Sequence, residues 1–236
     1  AEVRNKLIPV ALVGFPPRVS SVLSFDLEVM GCKIVPERDA SFVVEGKIED
    51  ALVGKLSDKT GNVEFHRKYP GGTVRDQAHA LSNDVIKSIT GKPGIAHTQI
   101  LFKMKTGARA EEIFLSDYDG HQPKALTSDK TLVGSPKWSP KGDEIFYTSW
   151  LKRGGLENTT VVRQNLATGS RDVMARYRGL NTGGVLSAQG FLAMILSKGG
   201  SPDVYVAPPA WEFMKDLKGE KLNRMCKTRE EESGVS

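Results

Sequence analysis

Hydrophobic positions in the first ninety or so residues fall into alternating strand-like and helix-like blocks. Leu7 and residues 8–15 make a near-continuous apolar run that Pro16-Pro17 ends. So short a run, with Val at two positions, predicts a strand buried on both faces. Val19, Val22, Leu23, Leu27 and Met30 then share one face of a 3.6-residue period, and Gly31 follows. That pattern predicts an amphipathic helix with a glycine stop. Residues 41–45 and 47–48 predict a second strand, and residues 55–57 and 63–69 flank Asp58-Lys59-Thr60-Gly61-Asn62, a hairpin signal. A second helix is expected after Thr73, which can cap it while Asp76 reaches back to the cap amide. Its apolar stripe is Val74, Ala78, Leu81, Val85 and Ile89, closed by Gly91. The order strand, helix, strands, helix implies a small α/β domain with a mixed sheet over residues 1–91. His79 lies beside the stripe and reads as a half-buried structural histidine rather than a ligand.

From about residue 95 the pattern becomes short strands in a repeat. The strand anchors Ile113, Val161 and Val204 stand about 48 and 43 residues apart. Periods of roughly 40–50 residues with four short strands each are those of β-propeller blades. A linking motif, Ser135-Pro136-Lys137-Trp138-Ser139-Pro140-Lys141-Gly142-Asp143, precedes the second repeat. Pro136 and Pro140 bracket a strand too short to need many ladder donors, as suits an innermost strand. Trp138 offers a large apolar surface for the gap between blades, and Lys141-Gly142 a tight turn. A degenerate copy runs from Gly183 to Gly190, with Leu186 in the Trp138 position. The fold class is therefore an α/β N-terminal domain plus all-β propeller-type repeats over residues 95–236, an incomplete propeller of about three blades.

Composition narrows the function classes. The 24 glycines and 12 prolines punctuate the chain rather than clustering, as many short strands require. The net charge of +5 comes from scattered Lys and Arg without interleaved aromatics, which reads as a solvated basic surface and not a nucleic-acid stripe. Cys32 and Cys226 form neither a disulfide framework nor a zinc pattern. No apolar run approaches the ~18–20 residues of a spanning helix, so no membrane insertion is expected. The chain begins at Ala1 without Met, as a processed mature protein would. Ser201 lacks the second glycine of a nucleophile elbow, and there is no phosphate-cradling loop or His-Glu-x-x-His. His66, His79, His97 and His121 share no ligand spacing, and Glu111-Glu112 and Glu230-Glu231-Glu232 read as solvated faces. No catalytic, cofactor-binding or metal-binding residue is expected, and the chain reads as a non-enzyme.

The motif Ser-Pro-x-Trp-Ser-Pro-x-Gly at 135–142 resembles the signature of TolB propeller repeats, and residues 196–206 look like that family's third blade. The junction at 89–95, the run Pro9 to Phe15 and the opening Glu2-Val3-Arg4 are similar too, so the likeness covers nearly the whole chain. The resemblance implies a periplasmic component of the Tol–Pal envelope system that supports outer-membrane integrity and cell division. It further implies binding of a Pal-like lipoprotein on one propeller face and of a TolA-like protein through the N-terminal segment. The candidate contact residues are Glu2, Val3 and Arg4 at the N-terminus. Thr131, Ser135, Asn181 and Gly183 are the candidates in the rim loops before the inner strands. Where the family usually reads His-Asn-Gly this chain has Leu180-Asn181-Thr182, matching at Asn181 alone. Residues 207–221 replace a short turn with a partly helical stretch, and about three repeats are too few to close a ring; lost or altered C-terminal sequence is the expected reason. The rival readings are a gating domain of a prolyl-oligopeptidase-type hydrolase and a standalone interaction scaffold.

Overall fold

In the computed structural model, which describes residues 7–150, 152–153 and 156–226, the chain divides into two compact units. The first comprises residues up to Gln99 together with Asp117–His121; the second comprises Ile100–Ser116 and the residues from Gln122 onward.

The first unit packs two helices on a five-stranded sheet. Its elements are β1 (Ile8–Val13), α1 (Pro17–Val29), β2 (Cys32–Ile34), β3 (Phe42–Ile48), β4 (Leu52–Asp58), β5 (Val63–Tyr69) and α2 (Val74–Thr90). Strand order is β2-β1-β3-β4-β5, with β1 parallel to both neighbours and the remaining pairs antiparallel, a mixed sheet. Pro17 starts α1 at a position where its missing N–H costs nothing. Thr73 and Asp76 form the expected capping box of α2: Asp76 N–H donates to Thr73 Oγ1 at 3.2 Å and Thr73 N–H to Asp76 Oδ2 at 2.7 Å. Gly91, at φ 72°, ends the helix. Val10, Val44, Leu52 and Leu56 of the sheet bury against Val19, Leu23 and Leu27 of α1 and Leu81 and Val85 of α2. Gly54 makes this possible, because a Cβ there would stand 2.6 Å from Leu81 Cδ1.

The second unit consists of propeller-type sheets. β6 (Gln99–Gly107), β7 (Ala110–Asp117) and β8 (Lys124–Ala125) form a three-stranded sheet. β9 (Val133–Trp138), β10 (Glu144–Ser149), β13 (Thr160–Asn165) and β14 (Arg171–Ala175) form a four-stranded one, with the two-stranded β11 (Lys152–Arg153) and β12 (Leu156–Glu157) between. β15 (Asn181–Leu186), β16 (Leu192–Leu196), β17 (Asp203–Ala207) and β18 (Asn223–Arg224) form the last. Ile113, Val161 and Val204 lie in β7, β13 and β17, so the sequence repeat coincides with the strand repeat.

Several local expectations change. Pro136 lies inside β9 rather than bracketing it, which an edge strand permits. Residues 207–221 contain one 3-10 turn, Phe213–Lys215, and Trp211, Phe213 and Leu222 bury in the same core as Met174, Tyr177 and Tyr205. Glu112 is buried rather than solvated. Its carboxylate accepts from Thr127 Oγ1 at 2.5 Å, Asp129 N–H at 3.0 Å and Lys130 N–H at 2.7 Å, which compensates its burial. Glu230 to Glu232 lie outside the described residues.

Candidate functional site

β9 and β15 are the edge strands of the two four-stranded sheets, and they repeat each other in detail. Their third residues, Ser135 and Gly183, both take left-handed backbone, at φ 52° and 70°. In each pair the register slips around that residue, between Phe146 and Thr148 on β10 and between Thr182 and Val185 on β15. These are β-bulges with an αL residue, which re-aim an edge strand. The turns that follow match as well: Gly142 N–H donates to Ser139 O and Gly190 N–H to Ser187 O, each at 3.0 Å.

The two sheets pack through these strands. Thr148 Oγ1 and Thr182 Oγ1 share a hydrogen bond of 2.9 Å. Gly184 lets β15 approach, since a Cβ there would stand 2.8 Å from Val161 Cγ1. Trp138 packs against the cluster of Ile113, Val133, Ile145, Tyr147 and Val162, while Leu186 packs against that of Phe146, Val161 and Met194.

Ser135, Asn181 and Gly183 therefore lie within the inner strands, not in the loops that precede them. The bulges displace them: a run broken by Pro or by paired glycines reads as a loop, although the ladder continues on both sides of it. Ser135 is exposed. Thr131 Oγ1 donates to Trp150 O at 2.8 Å, and Thr131 bridges Glu111. Asn181 is fully buried, accepting from Tyr177 N–H at 2.8 Å and donating to Tyr177 O at 2.8 Å and Gly179 O at 3.0 Å. Its side chain closes the loop at 177–180 from inside, so it shapes that loop without presenting a surface. Glu2, Val3 and Arg4 lie outside the described residues.

A second constellation sits in the first unit, and sequence spacing gave no sign of it. His79 on α2 is buried, not half-buried, with Nδ1 2.8 Å from Asp26 Oδ2 on α1 across 53 residues of chain. The Tyr118 hydroxyl donates to the other Asp26 oxygen, and the Arg75 guanidinium contacts Asp119. Burial, then the Asp26 carboxylate, push the Tyr118 hydroxyl well above its ordinary pKa, so it stays a donor.

Residues 86–228 match the family model described as the TolB beta propeller domain. The chain is similar to the Tol-Pal system protein TolB of Nitrosomonas europaea, 30% identical over 209 residues that cover 74% of this chain and 48% of that protein. It is 34% identical over 133 residues to the protein of the same name from Marinomonas sp., covering 55% of this chain and 30% of that one. The chain thus spans about half the length of the first of these relatives. Among solved structures, TolB from Acinetobacter baumannii shares the fold with a TM-score of 0.75 and 22% identity, covering 93% of this chain and 60% of that one.

Proposed function

From the membership of this chain in the TolB β-propeller family, we propose that it serves as a non-catalytic binding component of a Tol–Pal-type envelope system in the periplasm. The observation that carries this reading is the family match across residues 86–228, which takes in all three propeller-type sheets up to β18. Among the described residues, no helix is long and apolar enough to cross a membrane.

The labour divides along the chain in this reading. The blades of residues 95–236 contact a Pal-like lipoprotein through Thr131 and the bulged inner-strand positions Ser135 and Gly183, with Asn181 holding the adjoining loop in shape. The α/β part of residues 1–91 contacts a TolA-like protein through Glu2, Val3 and Arg4. Support for these positions comes from their build: an exposed Ser135 on a bulged edge strand, repeated in phase at Gly183, is an irregular surface on a rigid frame.

Calorimetric titration with a soluble Pal-like domain and a soluble TolA-like domain tests the assignment. Ser135→Arg, bulky and outward, is expected to abolish Pal-type binding and leave TolA-type binding intact. Deletion of residues 1–6 is expected to do the reverse. Unchanged binding of both partners by both variants would refute the division.

A further inference from the structure

Asp26, His79 and Asp119, all within the first unit, each place one donor atom within 4.8 Å of the others. His79 Nδ1 is committed to Asp26. Its Nε2 is buried without a hydrogen-bond partner and faces Asp119 Oδ2 at 3.9 Å, beyond hydrogen-bond reach. In the tautomer that donates Nδ1–H to Asp26, Nε2 turns a lone pair toward the Asp119 carboxylate. Two electron-rich donors facing each other in a buried site are unfavourable alone. A cation with bonds of about 2.0–2.2 Å to each would fit between them with a bent geometry.

We propose that this cluster is a binding site for a divalent cation of the zinc class. His79 Nε2 and Asp119 Oδ2 are its protein ligands and Asp26 orients the imidazole. A carboxylate behind one ring nitrogen is how histidine ligands are held in register. Mixed imidazole and carboxylate donors favour Zn²⁺ over the oxygen-seeking Mg²⁺. Arg75 is the resident competitor, because its guanidinium now supplies the positive charge at Asp119. Its exit is open: the Arg75 side chain is partly exposed and lines a cleft of about 390 Å³ with Arg18 and Val22. Zn²⁺ and Arg75 thus compete for one carboxylate, and with two protein ligands and water completing the shell the binding is reversible.

The test is calorimetry and thermal unfolding of the chelator-treated chain titrated with Zn²⁺, with Mg²⁺ as the control ion. One Zn²⁺ per chain is expected, with no response to Mg²⁺. Arg75→Gln, which removes the competitor, is expected to tighten Zn²⁺ binding about tenfold. Asp119→Asn, nearly the same in shape, should weaken it ~10–100-fold. Should Asp119→Asn fail to fold by circular dichroism, the Arg75→Gln arm decides, since that side chain is partly exposed. An absence of Zn²⁺ binding, or Arg75→Gln binding no tighter than the parent, overturns the proposal. So does a folded Asp119→Asn that binds as well as the parent, which would place the ion at surface histidines such as His66 or His121.

Discussion

Ser135 and Gly183 show how one backbone requirement is met by two residue types. Both sit at the bulge of an inner strand with φ of 52° and 70°. Left-handed backbone costs a residue with a Cβ roughly 1–2 kcal/mol, so Ser135 carries strain that Gly183 avoids. A Cβ on Gly183 would meet only Ile195, at 3.5 Å, an ordinary contact. Gly183→Ala therefore isolates the backbone term, and chemical denaturation is expected to show a loss of about 1 kcal/mol. Ser135→Gly should do the opposite, gaining somewhat less because glycine also frees the unfolded chain. Equal destabilisation by both substitutions would mean that the bulges are not equivalent. The Trp138 and Leu186 correspondence was legible from spacing alone, and it put these two residues at the same place. What spacing could not convey was that the Pro and Gly around them mark a bulge within a strand. Glu112 was opaque for a related reason. Its burial depends on donors at 127–130 that only the folded turn brings round.

Elements whose cause is local were the ones readable in advance. The second helix carries its own start and stop, a Thr73–Asp76 capping box and Gly91, within twenty or so residues. β2 and β18 carry none: they are three and two residues long, and each is a strand only because a neighbour pairs with it. The segment between β17 and β18 is organised by one carboxylate. Asp216 accepts from Trp211 Nε1 at 2.8 Å, Glu220 N–H at 2.8 Å and Lys221 N–H at 3.1 Å. Lys198 adds bonds to Lys218 O at 2.9 Å and Gly219 O at 3.0 Å while lying over the Tyr177 ring. Burial alone would raise the Asp216 carboxyl, but these donors outweigh it and hold it below the usual carboxylate range. A depressed folded-state pKa means that the stabilisation is present above the ordinary carboxylate range and is lost as pH falls through and below it. Asp216→Ala is expected to cost about 2–4 kcal/mol, freeing three N–H groups and loosening Trp211 from the core. Its unfolding midpoint should also respond less to acid than the parent's. A variant with unchanged stability and acid response would show the segment to be held by Trp211 and Phe213 packing alone.

Across the whole chain, the three main sheets of the second unit are not equally complete. β10 and β16 each have an inner neighbour, β9 and β15, whereas β6 stands at the edge of its sheet with only β7 beside it among the described residues. That the anchors Ile113, Val161 and Val204 lie in the strands after β6, β10 and β16 makes β6 the counterpart of the latter two. It is also the longest strand among the described residues, nine residues, and it leaves Ile100 and Met104 each 40% exposed. A long edge with apolar side chains is a template for pairing with another chain, and Lys105 and Lys103, the latter already paired with Glu111 at 3.0 Å, are the charges that oppose it. Hydrophobic gain and the outward-facing ladder groups of alternate β6 residues, unpaired among the described residues, favour association, while charge repulsion between lysines is screened by salt. The chain taken alone is therefore expected to self-associate with rising concentration, and more strongly at high salt. Sedimentation velocity over a concentration series would register this as a rising weight-average mass. Met104→Lys adds a third charge to the edge and removes half its exposed apolar pair, so it should hold the chain monomeric without lowering its melting temperature. A parent chain that stays monomeric at every concentration and salt would show that the β6 edge is protected by means other than its lysines.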